Sequence, residues 1–536
     1  MTKRIFSAVA AALSAAGAIF WWNRRLDSQE RIESPMREEM PASATSLSAQ
    51  PHKRTRLVPP TPTKKLHVPP PDSAGEGRTP YYFVPGEALV TLRSAELPPL
   101  DFLPTVAERF GASYLPVGKS RVSYPVPEGE DWFTVVRLKW ATGADYEETL
   151  ERFTTLEAQV NEGVAWDDVR VAGWMPNWLG TVAGVESNAQ WYTPGGPGSY
   201  PRPLPAPADG LALVDAPFLG ELREAMSEPV TLAVLDAFPS PEALKNYTAP
   251  KALEPLLERL STDTRDLSLD SSQHYATFPT GEPFDMSDHG LMTTWLATEV
   301  IGVEGLEHVT LEPIRVATAE GVCSAADVIA GLARLVQRAR EGENIVVLLA
   351  SVIGMMDIVP PRLRLYEEHY EALRLACLSL SEAGAVLLGA AGNDASGLQH
   401  PPRTRRPAAF RSVIEVTAGQ LAQSDLALYA NQAKALCLFG GEANLLYEIS
   451  DTMPYLIGPA VSSELRVSND RVEANEQGWV AWAGTSFAAA LAAGLAVMLR
   501  SDQPDLKMWD VRTQLRKLAT STRNPGNVPF IDLVRP

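Results

Sequence analysis

Val230-Thr231-Leu232-Ala233-Val234-Leu235-Asp236 is a run of six residues, apolar but for one threonine, that ends in a carboxylate. A stretch this apolar, without polar alternation, reads as a strand buried on both faces, the kind found in parallel sheets. In open α/β sheets chemistry collects at the carboxyl ends of the strands, which is where Asp236 would stand. A turn would accept the same aspartate, so the stretch sets the fold class and only nominates a residue.

Three other stretches place a polar residue at the boundary of an element. Asp288-His289-Gly290 leads into residues 292–300, which have helical spacing, and the glycine would let backbone or substrate approach the histidine. Gly384-Ala385-Val386-Leu387-Leu388-Gly389-Ala390-Ala391-Gly392-Asn393-Asp394 is a second buried strand, closing in small residues and an asparagine. The Asn393 amide could donate to a developing oxyanion; a plain turn explains the same letters. Gly484-Thr485-Ser486 opens an alanine-rich helix that continues to Arg500. Ser486 would stand near the helix N-terminus, where backbone N–H groups favour negative charge, or would serve only as a cap.

Each stretch alone has an ordinary structural explanation; all four together do not. The chain order Asp, His, Ser is that of the subtilisin triad and differs from the orders in chymotrypsin and the α/β-hydrolases. The sequence resembles the subtilase family at Leu235-Asp236, at His289-Gly290, at Ala390-Ala391-Gly392-Asn393 and at Gly484-Thr485-Ser486. Gln190-Trp191-Tyr192 resembles the start of the family's mature domain. Residues 314–335 resemble the strand and helix after the histidine. Leu349-Ala350-Ser351-Val352-Ile353-Gly354 resembles the strand lining the specificity pocket. The likeness spans roughly residues 186–525. Ala237-Phe238 stands where the family usually has Thr-Gly, Leu291-Met292 where Thr-His is common, and Ala490 where proline is usual; no chemical group of the mechanism is lost.

The resemblance implies a serine endopeptidase acting through an acyl-enzyme, with Asp236, His289 and Ser486 as the triad and Asn393 as the oxyanion donor. It implies extended polypeptide substrates paired along Ser351, Val352 and Gly354, with the P1 side chain entering beside Ala390, Ala391 and Gly392. No fixed charge is legible in those walls, so an apolar or mid-sized P1 residue is expected. No cofactor is required. Calcium binding is common in the family, but no residue cluster identifies its ligands or any other metal site. A sedolisin-like peptidase would carry Glu and Asp in place of His289 and Asn393. A catalytically silent subtilase fold used for binding or scaffolding is the alternative function.

The fold expected is α/β: a subtilisin-like doubly wound, mainly parallel sheet over residues 186–530, preceded by a small α+β ferredoxin-like domain at 80–180. In the latter, residues 82–92, with Pro85-Gly86 inside them, read as strand, turn, strand; further strands are expected at 113–117, 133–140 and 164–171, with helices near 105–110 and 144–160. Strand-helix-strand repeated in this way is a ferredoxin-like pattern. By resemblance it is a propeptide, making the chain a zymogen that is its own first partner, with self-cleavage expected between about 175 and 190.

At 536 residues the chain exceeds one ordinary core. The net charge of −18 is uneven, +5 over residues 1–80 and −23 over the remainder. An acidic body lacks the basic face that nucleic acid requires, so nucleic acid is not an expected partner. Residues 5–22 form an uncharged, mostly apolar run between Lys3-Arg4 and Arg24-Arg25. Two readings stay open for 1–25: a membrane anchor, with Trp21-Trp22 at the interface, or a signal peptide cleaved near Ala16-Gly17-Ala18. Either sends the protein out of the cytoplasm, to a periplasmic or extracellular location. Residues 26–79 are proline-rich, lack hydrophobic periodicity and read as a disordered linker. Cys323, Cys377 and Cys437 are too few and too scattered for a disulfide framework or zinc site; Cys377 and Cys437 read as core thiols, while one disulfide through Cys323 stays open.

Overall fold

The computed structural model describes residues 83–533, except 118–121, 127–130, 142–145, 167, 182–198, 205–215, 246, 248–252, 263–285, 354–369, 396–400, 422–424, 445–447, 451–452, 469–470 and 520–527. The segments read as leader or anchor and as linker lie outside these residues, as do Gln190-Trp191-Tyr192 and Gly354.

The first described elements are β1 (Phe83–Ser94), α1 (Phe102–Arg109), β2 (Ser113–Leu115), β3 (Val122–Pro125), β4 (Trp132–Lys139), α2 (Tyr146–Asn161), β5 (Ala165–Trp166) and β6 (Val169–Thr181). They form an antiparallel sheet in the order β6-β1-β4-β2, with β3 also on β4 and β5 on β6. That order is the ferredoxin-like one expected. Two details differ. Pro85-Gly86 does not break the first strand; it makes a register shift between Phe83 and Ala88, with Gly86 at φ 68°. The last strand does not stop at 171 but runs to Thr181 through Pro176, because its far end pairs with later parts of the chain.

Next come β7 (Arg202–Pro203), α3 (Phe218–Glu224), β8 (Val230–Asp236), α4 (Pro241–Leu244), α5 (Glu254–Thr262), α6 (His289–Gly305), β9 (Val309–Arg315), β10 (Val322–Ser324), α7 (Ala325–Arg340), β11 (Ile345–Leu349), β12 (Val352–Ile353), α8 (Glu371–Glu382) and β13 (Val386–Ala390). The chain continues through β14 (Ile414–Gly419), β15 (Leu436–Phe439), β16 (Leu456–Pro459), β17 (Glu464–Ser468), β18 (Arg471–Ala474), β19 (Trp479–Trp482), α9 (Thr485–Asp502), α10 (Met508–Leu518) and β20 (Phe530–Ile531).

Seven strands form a wholly parallel sheet, β20-β15-β14-β13-β11-β8-β9. Every residue of β8, β11, β13 and β15 is buried, which is what an uninterrupted apolar strand requires of its surroundings. Helix α9 is buried from Thr485 to Ser501, so its alanine-rich sequence is a packing necessity: small side chains let it lie at the centre of the molecule. Helix α7 starts where Ser324 Oγ accepts from the Asp327 N–H at 3.2 Å, and ends with Arg338 and Arg340 in its last turn. Both ends thus suit the helix dipole. Cys323 is a free, buried thiol, so no disulfide passes through it. Among the described residues no helix is long and apolar enough to cross a membrane.

Candidate active site

Asp236 is the last residue of β8 and is fully buried. Its carboxylate faces the His289 Nδ1 with both oxygens, at 2.8 and 3.0 Å. Two further donors hold it: the Ala237 N–H at 2.7 Å to Oδ1 and the Thr293 hydroxyl at 2.9 Å to Oδ2. His289 is the first residue of α6, and the next residue's N–H donates to the Ala237 carbonyl at 3.0 Å. The strand end carrying the carboxylate is therefore stitched to the helix start carrying the imidazole. An imidazole whose Nδ1 is held by a carboxylate is fixed in orientation, with Nε2 on its opposite side.

Helix α9 begins beside this pair. The Phe487 ring lies 5.1 Å from the imidazole and the Trp482 ring 5.5 Å from it, edge-on. Ser486, the residue before Phe487, is buried in the first turn of α9, and its hydroxyl donates to the Ala350 carbonyl at 3.3 Å. In this state its hydrogen bond goes to Ala350 and not to the imidazole. Asn393 follows β13, and its Oδ1 accepts from the Thr485 N–H at 2.9 Å, while the Thr485 hydroxyl accepts from the Gly392 N–H at 3.1 Å. The end of β13 and the start of α9 are thus joined by a reciprocal pair of bonds. Asp236, His289, Asn393 and Ser486 all lie at carboxyl ends of parallel strands or at the start of a helix packed against them.

Ser351, Val352, Ala390, Ala391 and Gly392 are buried, and β12 presents an edge. That edge is already taken. Strand β6 pairs antiparallel with β12 (Val352 opposite Thr181, Ile353 opposite Gly180) and with β10 (Val322 opposite Thr181, Cys323 opposite Gly180). Gly180 has to be glycine: a Cβ there would come 2.1 Å from the Val352 carbonyl oxygen and 2.6 Å from the Ile353 side chain. The walls also hold a charge that the sequence did not disclose, a buried ion pair between Arg405 and Asp394 at 3.0 Å.

Several contributors escaped the sequence reading. Thr293 was findable, since it follows His289 by four residues on a helix and so shares its face. Thr485, Asn431 and Arg405 gave no such signal, because their partners are distant in the chain. Among the described residues no group of three or more His, Cys, Asp or Glu side chains is placed to hold a metal ion, so no calcium ligands can be assigned.

The fold and these residues define a subtilisin-like serine peptidase scaffold. The model of the subtilase family of peptidases matches residues 255–531, more than half of the chain, and the chain belongs to that family. The match includes His289, Asn393 and Ser486 and begins after Asp236. A comparison with curated protein sequences gave no match. Among solved structures, a lanthipeptide protease is similar at 15% identity and a TM-score of 0.38, over 58% of this chain and 86% of that one. The epidermin leader peptide processing serine protease of Staphylococcus aureus is similar at 14% identity and 0.45, over 83% and 98%. Fervidolysin of Fervidobacterium pennivorans, a keratinolytic enzyme, is similar at 14% identity and 0.46, over 84% and 60%.

Proposed function

We propose that this chain is a serine endopeptidase that cleaves polypeptides through an acyl-enzyme, and that residues 80–180 are its own propeptide. The observation that carries the reading is the Asp236 carboxylate, held by the Ala237 N–H and the Thr293 hydroxyl, gripping the imidazole of His289 beside the helix whose first turn carries Ser486. In the reaction Ser486 Oγ attacks the scissile carbonyl while His289 Nε2 takes its proton. Asp236 keeps the imidazole in the Nδ1–H tautomer and stabilises its cation. This requires the hydroxyl to turn from Ala350 to the imidazole, a rotation between staggered positions. The planar Asn393 amide has its oxygen engaged by Thr485, which turns its Nδ2 donor the other way. That donor and the Ser486 N–H would stabilise the oxyanion, each contributing roughly 3 kcal/mol. His289 would then give its proton to the leaving amine, and water would release the acyl group by the same route.

The pairing of β6 with β10 and β12 supports the propeptide reading. An added strand gains affinity from main-chain hydrogen bonds, so β6 sits as an extended polypeptide substrate would. With Gly180 and Thr181 held on these edges, self-cleavage is expected beyond Thr181 and no further than about residue 190. Asn177 adds a second hold. Its Oδ1 accepts from the Ala326 N–H in the first turn of α7 at 3.1 Å, while its Nδ2 donates to the Glu87 carboxylate at 2.9 Å. Export from the cytoplasm, and attachment to a membrane through residues 5–22, belong to the proposal on the sequence alone.

Purified Ser486→Ala tests self-processing: mass spectrometry should find it as the uncut chain while the wild type yields a new N-terminus after Thr181. Equal trimming of both, in a protease-free preparation, would contradict self-cleavage. The silent-scaffold reading has one observation on its side, the bond from Ser486 to Ala350 in place of His289. An activated-serine probe separates the two.

A further inference from the structure

Asp288 stands directly before His289, at the start of α6, and is 2% exposed. An aspartate in that position ordinarily caps its helix, yet its side chain makes no capping bond. Both carboxylate oxygens reach instead to a distant part of the chain. The Val461 N–H donates to Oδ1 at 2.7 Å and the Ser462 N–H to Oδ2 at 3.0 Å. Bonds to an ionised acceptor are the strong ones, and two donors on adjacent residues fix the group in direction as well as place. The receiving loop is itself braced. Asn475 donates its Nδ2 to the Ser462 carbonyl at 3.0 Å and its N–H to the Ser463 carbonyl at 2.8 Å. The Ala460 N–H donates to the Gly478 carbonyl at 2.9 Å.

That loop follows β16, which pairs along its length with β19, Leu456 opposite Trp482 and Pro459 opposite Trp479. From Trp482 the chain runs through Ala483, Gly484 and Thr485 into Ser486. Helix α6 lies against the same two strands. A Cβ on Gly458 would come 2.8 Å from the Met292 sulfur, and the Trp295 and Trp479 rings meet edge to face at 5.6 Å. The helix that carries the imidazole is thus packed on the ribbon that leads into the serine. Apolar packing is non-directional and fixes no register by itself; the Asp288 carboxylate adds directed bonds to this joint.

We infer that Asp288 is a positioning residue, whose carboxylate sets the spacing between His289 and Ser486 by fastening the start of α6 to the β16–β19 ribbon. The role rests on the peptidase reading and adds to its machinery a side chain outside the triad. Proton transfer needs the serine hydroxyl within hydrogen-bond reach of the imidazole once it has turned from Ala350. A misplacement of about 1 Å can cost a hundredfold. With the carboxylate gone, the Val461 and Ser462 N–H groups would turn to water and the ribbon could shift against the imidazole.

The test uses the full-length chain taken to complete self-cleavage, a peptide anilide with leucine at P1, and the rate of fluorophosphonate labelling at Ser486. Asp288→Ala should lower kcat by about tenfold or more with KM within about twofold, and should slow labelling by a similar factor. Asp288→Asn, which keeps one acceptor oxygen, should fall between it and wild type. Asn475→Ala loosens the same loop without altering charge beside His289, and it should lower kcat in the same sense. Because both act through one loop, the double variant should be no slower than Asp288→Ala alone. Wild-type kcat and labelling in Asp288→Ala would overturn the inference, as would a loss confined to KM, or an Asn475→Ala with wild-type kcat. If Asp288→Ala does not fold, Asp288→Asn and Asn475→Ala decide, and wild-type kcat in both overturns it. In all of these outcomes the wild type still labels, so the peptidase reading stands; a wild type that neither labels nor cleaves would overturn that reading instead.

Discussion

The side chain of Asn177, in the N-terminal α+β segment, accepts a 3.1 Å hydrogen bond from the backbone N–H of Ala326, in the first turn of a helix 149 residues further on. First-turn amides have no partner within their own helix, so a side-chain oxygen supplied from elsewhere acts as a cap. The Glu87 carboxylate, itself paired with Arg137 and Lys139, holds Asn177 in position for this.

Asn177→Leu should therefore weaken the hold of the processed N-terminal segment without unfolding the remainder. A lost cap and an unmet polar group cost about 1–3 kcal/mol, or roughly five- to a hundredfold in affinity. Co-elution of the two fragments after self-cleavage, measured by size-exclusion chromatography across dilutions, reads this directly. Retention equal to wild type would contradict it.

A bulkier side chain at Gly180 should act more severely. Gly180→Val would drive a side chain into the Val352 carbonyl and Ile353, so β6 would have to leave both edges. Self-cleavage should fall by an order of magnitude or more, since a misplacement of about 1 Å can cost a hundredfold. Processing by the variant at the wild-type rate would show that β6 is not seated as a substrate is.

Thr293→Val should lower kcat/KM by about tenfold with little change in KM. It removes a hydrogen bond to the Asp236 carboxylate, and bonds to charged groups contribute roughly 1.5–3 kcal/mol. Thr293→Ser, which restores the donor, should recover most of the activity. Failure of serine to rescue would assign Thr293 to packing alone.

The four nominated residues were legible because each sits at the end of a local pattern: an apolar run closing on Asp236, a glycine after His289, small residues before Asn393, an alanine-rich helix after Ser486. Helix and strand positions in the parallel sheet came from the same patterns. What sequence could not convey was contact across distance. The extension of β6 from residue 171 to Thr181 depends on β1 and, at its far end, on β10 and β12, more than 140 residues away, and the local pattern that ended the expected strand at 171 carries no trace of them. The bond between Thr485 and Asn393 spans 92 residues. Asp394 and Arg405 look like a turn and a solvated charge until their burial is known, and that is why the pocket read as uncharged.

Stability should decline on the alkaline side. Burial pushes the Tyr124 hydroxyl and the Cys377 thiol well above their ordinary values, and the Cys323 thiol likewise, with Asp327 and Asp236 nearby adding to the effect there. These groups stay neutral in the fold but ionise in the unfolded chain, so their contribution is complete below the ordinary pKa values and is lost as pH rises past them. Thiols ordinarily titrate near 8.5 and tyrosine near 10, and each group then removes about 1.4 kcal/mol per pH unit. Thermal melts should show Tm falling steadily between about pH 9 and 11. A Tm that stays flat across that window would mean these groups are accessible to solvent.

Whether His289 and Ser486 work together shows in the rate at which a fluorophosphonate modifies Ser486 in the processed wild type and in His289→Ala. The wild type should label rapidly and stoichiometrically at Ser486, and the variant should lose about a thousandfold or more in rate. A processed wild type that resists the probe, or a variant that labels as quickly, would contradict their acting together.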